Sequence, residues 1–347
     1  MRRPARNEDG TVLLSTLLVL SLMSAVALGL LATVRGSVRT AQYLGETAQA
    51  DLYADGARDF AALQVARLAE LDPPARNAAL LAQAPIVLPF DGGSITATVR
   101  DGSHCLRLSG LSAGSGAANA NERLRLAALI EALGAAPGEA QRLAAAAADY
   151  ADADSEILPG GAEDGVYLFR DPPHRTANVP FTSIWELRAV DGMTEAVFQT
   201  LRPHLCIGAP NVPSRFNLNT ADRRHLPVLA AMLSESDAPY QDAARLLEAR
   251  PMGGFDDIQE ARLVLARSEP DDGPADPAEE DGASDDPLVI EADRVEVEAV
   301  IRFGEAERVR VFVFEGLADG RPRLTHRDWG RHALRPRLTV DAQDTQP

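Results

Sequence analysis

The chain has 347 residues, enough for two modest domains with real cores plus appendages. Hydrophobic residues make up 46%, an ordinary globular share, while aromatics reach only 5%. A formal net charge of −17, with its positive charge carried by arginine, argues against the basic surfaces that hold phosphates, so no nucleic-acid partner is expected.

At the N-terminus a short charged leader, "MRRPARNEDG", is followed by residues 11–34, a run without a single charge. As a helix this run matches the roughly 30 Å hydrocarbon core of a bilayer. Arg2, Arg3 and Arg6 before it favour an N-terminus left in the cytoplasm. A cleaved secretory signal is the other reading, with Ala25-Val26-Ala27 as its cleavage site, but the apolar run continues well past Ala27. Residues 36–71 contain no proline and are rich in helix formers, so the helix should extend beyond the bilayer until Pro73-Pro74 stops it.

Next, "GGSITATVRDGSHCLRLSG" reads as a β-hairpin: Ile95, Ala97 and Val99 alternate, Asp101-Gly102 turns, and residues 105–108 return. "GLSAG" (110–114) fits the nucleophile-elbow pattern, but that motif needs a helix immediately after it, and "SAGSGAANAN" reads as a loop. Residues 124–150 are strongly helical, with a break near Gly134 to Pro137.

The segment "DYADADSEILPGGAEDGVY" then gathers Asp149, Asp152, Asp154, Glu156, Glu163 and Asp164 around a Gly-Gly pair. Asp152, Asp154, Glu156 and Glu163 stand at the first, third, fifth and twelfth positions of an EF-hand-like loop, although Ile157 occupies the sixth, where that loop takes glycine. Carboxylates without histidine or cysteine suit a hard divalent cation, calcium above all. A solvated acidic turn and a catalytic carboxylate pair are the alternatives.

Residues 183–205 and 221–250 are two further helical stretches, and each resembles a helix-hairpin-helix unit. The hairpin "SESDAPY" is acidic and lacks glycine, so it would repel phosphate, and a protein-interaction surface fits better. Trp185, Leu187, Val197, Phe198 and Leu201 read as core. Residues 268–287 hold nine acids and no base and are expected to be disordered. "VEVEAVIRF" and "ERVRVFVFEGL" alternate with period two and should be paired strands. Cys105 and Cys206 lack zinc-site spacing; they could form one disulfide in an oxidising compartment or remain thiols in the cytosol.

The Gly10-Thr11 junction before the apolar run resembles the leader of type IV pilin-like proteins, which a prepilin peptidase cuts after glycine. Ser15 occupies the fifth position after that cut, where pilins usually carry glutamate. With "DYADADSE…PGGAEDGVY", "IWELRAVDGM" and "FNLNTAD" in this order, the chain resembles the K-type minor pseudopilins of type II secretion systems over most of its length. Glu8-Asp9 before the cut and Thr11 after it depart from the family pattern.

The resemblance implies a non-enzymatic subunit at the pseudopilus tip, anchored in the inner membrane by one span with its main domain in the periplasm. It also implies calcium in the helical insertion, and as partners the other minor pseudopilins, the inner-membrane secretion platform and prepilin peptidase. The expected fold is α+β: a long N-terminal helix on a small antiparallel sheet, with an all-helical insertion. Its expected parts are a leader (1–10), a transmembrane helix (11–34), the first part of a pilin-like domain (35–123), the insertion (124–267), an acidic linker (268–287), C-terminal strands (288–333) and a tail (334–347).

Overall fold

The computed structural model describes residues 9–112, 117–210, 212–266 and 286–330. Helix α1 (Asp9–Ala69) runs 61 residues without a break. Residues 11–45 are exposed along their whole length. Among the described residues α1 alone is long and apolar enough to cross a membrane. Further along, Ala50, Ala54, Ala57, Ala61 and Val65 make a buried stripe at helical spacing. Four of the five are alanine, which lets a sheet approach the helix closely. Pro73 and Pro74 do not end α1 directly; they open α2 (Pro73–Ala82), where a missing N–H costs nothing. The Asp72 carboxylate caps α2 by accepting from the Ala75 N–H at 2.9 Å.

The sheet on that stripe contains β1 (Ile86–Phe90), β2 (Gly93–Asp101), β7 (Arg294–Phe303), β8 (Ala306–Glu315) and β9 (Arg323–Trp329). They are antiparallel neighbours in the order β1-β2-β7-β8-β9. Its inner face, including Ile95, Val297, Ile301, Phe312 and Phe314, shares one core with the α1 stripe. Asp51 on α1 binds Arg308 at 2.7 Å and Arg310 at 3.2 Å on β8. The β7–β8 turn depends on Gly304, at φ +55, because an added Cβ would lie 2.5 Å from the Glu46 carboxyl carbon.

The expected hairpin at Asp101-Gly102 is corrected by the structure. β2 already pairs with β1 on one side and β7 on the other, so residues 105–108 have no open edge to return to. The chain leaves the sheet at Asp101. β3 (Leu106–Arg107) pairs in parallel with β4 (Leu205–Cys206) instead.

The inserted unit contains α3 (Ala117–Ala132), α4 (Pro137–Ala151), α5 (Asp164–Tyr167), α6 (Glu195–Leu201), α7 (Leu226–Met232), α8 (Pro239–Ala249) and α9 (Ile258–Ala266). Its core already includes Leu106, Leu108 and Leu111, so it begins before the expected residue 124. Leu187, Phe198 and Leu201 lie in that core, with Trp185 and Val197 packed against it. The chain returns through β6 (Leu288–Val289), parallel to β5 (Phe216–Asn217). Leu288 belongs to the helical core and Ala292 to the sheet core. Apart from Asp286 and Pro287, the acidic tract lies outside the described residues, as do the tail and residues 1–8.

Three buried devices tie the unit to the sheet. Cys105 and Cys206 are joined by a disulfide, with Cα atoms 5.8 Å apart. Glu315 receives Arg294 at 2.9 Å and Arg107 at 3.2 Å. The third is the "FNLNT" motif. Asn217 Nδ2 and Thr220 Oγ1 donate to Asp101 Oδ2 at 2.8 and 2.5 Å. Asn219 donates to the carbonyls of Phe255 and Ile290 at 2.9 and 3.1 Å. Asn77 of α2 also donates to Ile290, at 2.9 Å. One motif therefore binds the sheet, the insertion and the return strand together.

Candidate metal centre

Helix α4 ends at Ala151 and α5 starts at Asp164, so the acidic loop is framed by two helices as the spacing suggested. Its turn falls at Leu158–Gly161, where the Gly161 N–H donates to the Leu158 carbonyl at 2.8 Å, and not at Ile157. Gly161 cannot carry a side chain here: an added Cβ would lie 2.0 Å from Asp149 Oδ2.

Of the six predicted carboxylates, the structure draws four together. Asp149, Asp152 and Glu163 are buried, at 0%, 6% and 5% exposure. Burial pushes the Asp149 carboxyl up to about 6, against the lowering effect of the Leu158 and Ala162 N–H groups and with the Glu163 charge adding to the rise. Asp152 rises to about 7, through burial and the charges of Asp154, Asp149 and Glu163. Glu163 is raised too, mainly by burial. Asp154, on the exposed side, completes the group and accepts from the Glu156 N–H at 2.9 Å.

The remaining two stand apart. Glu156 is exposed. Asp164 faces the other way, accepting from Thr176 N at 3.0 Å and pairing with Arg175 at 2.8 Å; these contacts, led by the Thr176 N–H, hold its pKa down.

The roles within the cluster differ. Asp149 spends its oxygens on the loop, accepting from the Leu158 N–H at 3.2 Å. Asp152 Oδ1 and Glu163 Oε1 are buried without a hydrogen-bond partner. Buried acceptors are satisfied almost everywhere in folded proteins, so two beside one another call for a donor or a cation. As placed, no three His, Cys, Asp or Glu side chains among the described residues form a finished cage. What the loop presents is a set of hard oxygen donors whose repulsion is uncompensated, which fits calcium and not a soft metal. Thr176 and Asn178, on the far side of the cluster, carry no charge and went unread in the sequence.

Ser112 of "GLSAG" ends a 3-10 turn and donates to the Ser109 carbonyl at 3.1 Å, while Ala113 and Gly114 lie outside the described residues.

A membrane-length N-terminal helix laid on an antiparallel sheet, with a helical unit inserted between two of its strands, defines a single-span pilin-like protein. Models of the family described as Type II secretion system (T2SS), protein K match residues 104–210 and 216–280. The type II secretion system protein K of Klebsiella pneumoniae is 33% identical over 259 residues, 72% of this chain and 78% of the relative. That of Pseudomonas aeruginosa is 27% identical over 95% of both chains. A chain from the crystal structure of the GspK-GspI-GspJ complex of enterotoxigenic Escherichia coli aligns with a TM-score of 0.63 at 23% identity, over 84% of this chain and 99% of that one. This chain belongs to the type II secretion system protein K family and is a minor pseudopilin.

Proposed function

We propose that the protein is the tip subunit of the pseudopilus, starting or capping its assembly for export of folded proteins across the outer membrane. The role is structural, not enzymatic. The observation that carries the reading is the helical unit hung from the end of the sheet, which blocks addition of a further subunit above it. Ser15 supports it: its hydroxyl donates to the Val12 carbonyl of its own helix at 2.8 Å and offers no charge to a neighbour's terminal amine. In this reading the N-terminus faces the cytoplasm, the main domain lies in the periplasm, and cleavage after Gly10 leaves Thr11 first. The acidic loop holds calcium through Asp152, Asp154 and Glu163, and the ion neutralises their repulsion. The other minor pseudopilins are the partners, with the secretion platform in the same membrane. The chain, tagged at its C-terminus and purified from membranes, should bring down the other minor pseudopilins and show the intact mass of a protein beginning at Thr11. Recovery of the chain without any of them overturns the tip assignment.

A further inference from the structure

We infer that Asn178 supplies a neutral oxygen ligand to the cation held by Asp152 and Glu163, an inference that rests on the calcium reading above. Among the described residues, the carboxylate and amide oxygens buried without a hydrogen-bond partner are three: Asp152 Oδ1, Glu163 Oε1 and Asn178 Oδ1. They come from three separate segments, and the backbone brings these segments to one place. The N–H groups of Ala177 and Asn178 both donate to the Tyr150 carbonyl, at 3.0 and 3.1 Å, two residues before Asp152. One step earlier, the Thr176 hydroxyl lies 3.3 Å from Glu163 Oε2 and 3.0 Å from Asp164 Oδ1. Residues 176–178 thus run as a strap from Glu163 to the end of α4, alongside the cluster.

The backbone at Asn178 is itself unusual. Its φ of +50 places it in the left-handed region, where asparagine is among the few side chains tolerated. Glycine would fit that backbone equally well but would bring no oxygen. An amide oxygen is a hard donor that calcium accepts beside carboxylates, and it fills a coordination position without adding to the negative charge. Thr176 orients the arrangement: its hydroxyl engages Glu163 through Oε2 and leaves Oε1 turned to the cluster. Asp164 is bound on the opposite side of the strap and takes no part.

The test is calcium titration by calorimetry on the full-length chain in detergent micelles, comparing wild type with Asn178→Gly and Asn178→Asp. Both substitutions tolerate the left-handed backbone, so the fold is kept, which melting in chelator checks. Asn178→Gly should weaken calcium binding tenfold or more, and Asn178→Asp should bind at least as tightly as wild type. Wild-type affinity in Asn178→Gly overturns the inference and leaves the calcium reading standing. A wild-type chain that takes up no calcium overturns both.

Discussion

Asp152 sits at the C-terminal end of α4, 6% exposed, with one oxygen unpartnered and with Asp149, Asp154 and Glu163 around it. In metal-free protein this carboxylate is a burden on the fold; with calcium bound it becomes an attachment point. The same substitution should therefore have opposite effects in the two states. In chelator at mildly alkaline pH, Asp152→Asn should be more stable than wild type by about 1–3 kcal/mol, the cost of leaving a buried polar group unmatched. In excess calcium the order should invert. Calcium at a hundredfold its Kd stabilises the wild type by about 2.7 kcal/mol, and the variant loses most of that gain. Thermal melts of both proteins with calcium and with chelator check this; a variant that tracks the wild type in both conditions speaks for a solvated acidic turn. Sequence reading found Asp152 and Glu163 because acidic residues announce themselves by charge and spacing. It missed Asn178, whose value lies in a backbone angle and a tertiary neighbour, neither of which leaves a local pattern.

The elements were legible where one pattern had one solution. The uncharged run of α1 and the alternation in β7 and β8 each admit a single reading, and the sheet holds all of them. Asp101-Gly102 misled because alternation specifies which face a residue takes but not which strand lies beside it. β1 carries Pro89 on an edge, and β9, "RLTHRDW", is polar throughout, so neither advertised a strand. The contact between β3 and the sheet was invisible for a different reason: it is ionic and long-range. Glu315 on β8 bridges Arg107 and Arg294, all three nearly fully buried. Burial by itself would raise the Glu315 carboxyl, but the two guanidinium groups overcome it and hold the pKa below the ordinary value of 4.5. Burial, assisted by Arg294, brings Arg107 down to about 10. Because the folded pKa of Glu315 is lowered, its contribution is present above the unfolded value and is lost as pH falls through the folded one. Glu315→Gln should cost about 3 kcal/mol near neutral pH, since two buried cations lose their carboxylate. It should also flatten the loss of stability below about pH 4.5 that the wild type shows. Urea denaturation from pH 3 to 7 measures both effects. A variant with the wild-type acid slope would place the acid-labile contact elsewhere.

At the scale of the whole molecule, the disulfide closes a loop of 101 residues around the first half of the insertion. For a loop of that length the chain-entropy model gives about 4 kcal/mol of stabilisation, through restriction of the unfolded chain. The double variant Cys105→Ser/Cys206→Ser should lose about 2–5 kcal/mol in denaturant titration. Dithiothreitol should bring the wild type down to the variant and leave the variant unchanged. If the variant matches the oxidised wild type, the bond adds nothing to the fold.

The chain departs from the sheet at Asp101 and rejoins it at Arg294. Asp101 stands opposite Val295 in the ladder, and the Gly102 N–H donates to the Arg294 carbonyl at 2.9 Å. The two ends of the inserted unit are therefore as close as the ends of a tight turn, and the register between β2 and β7 is set within the strands themselves. In evolutionary terms this is a docking port: a unit there can lengthen, shed loops or take up an acidic tract without shifting one residue of the sheet. The region facing the secreted proteins can diversify at the pace of its cargo, while the membrane helix and sheet, which must match the neighbouring subunits, stay fixed.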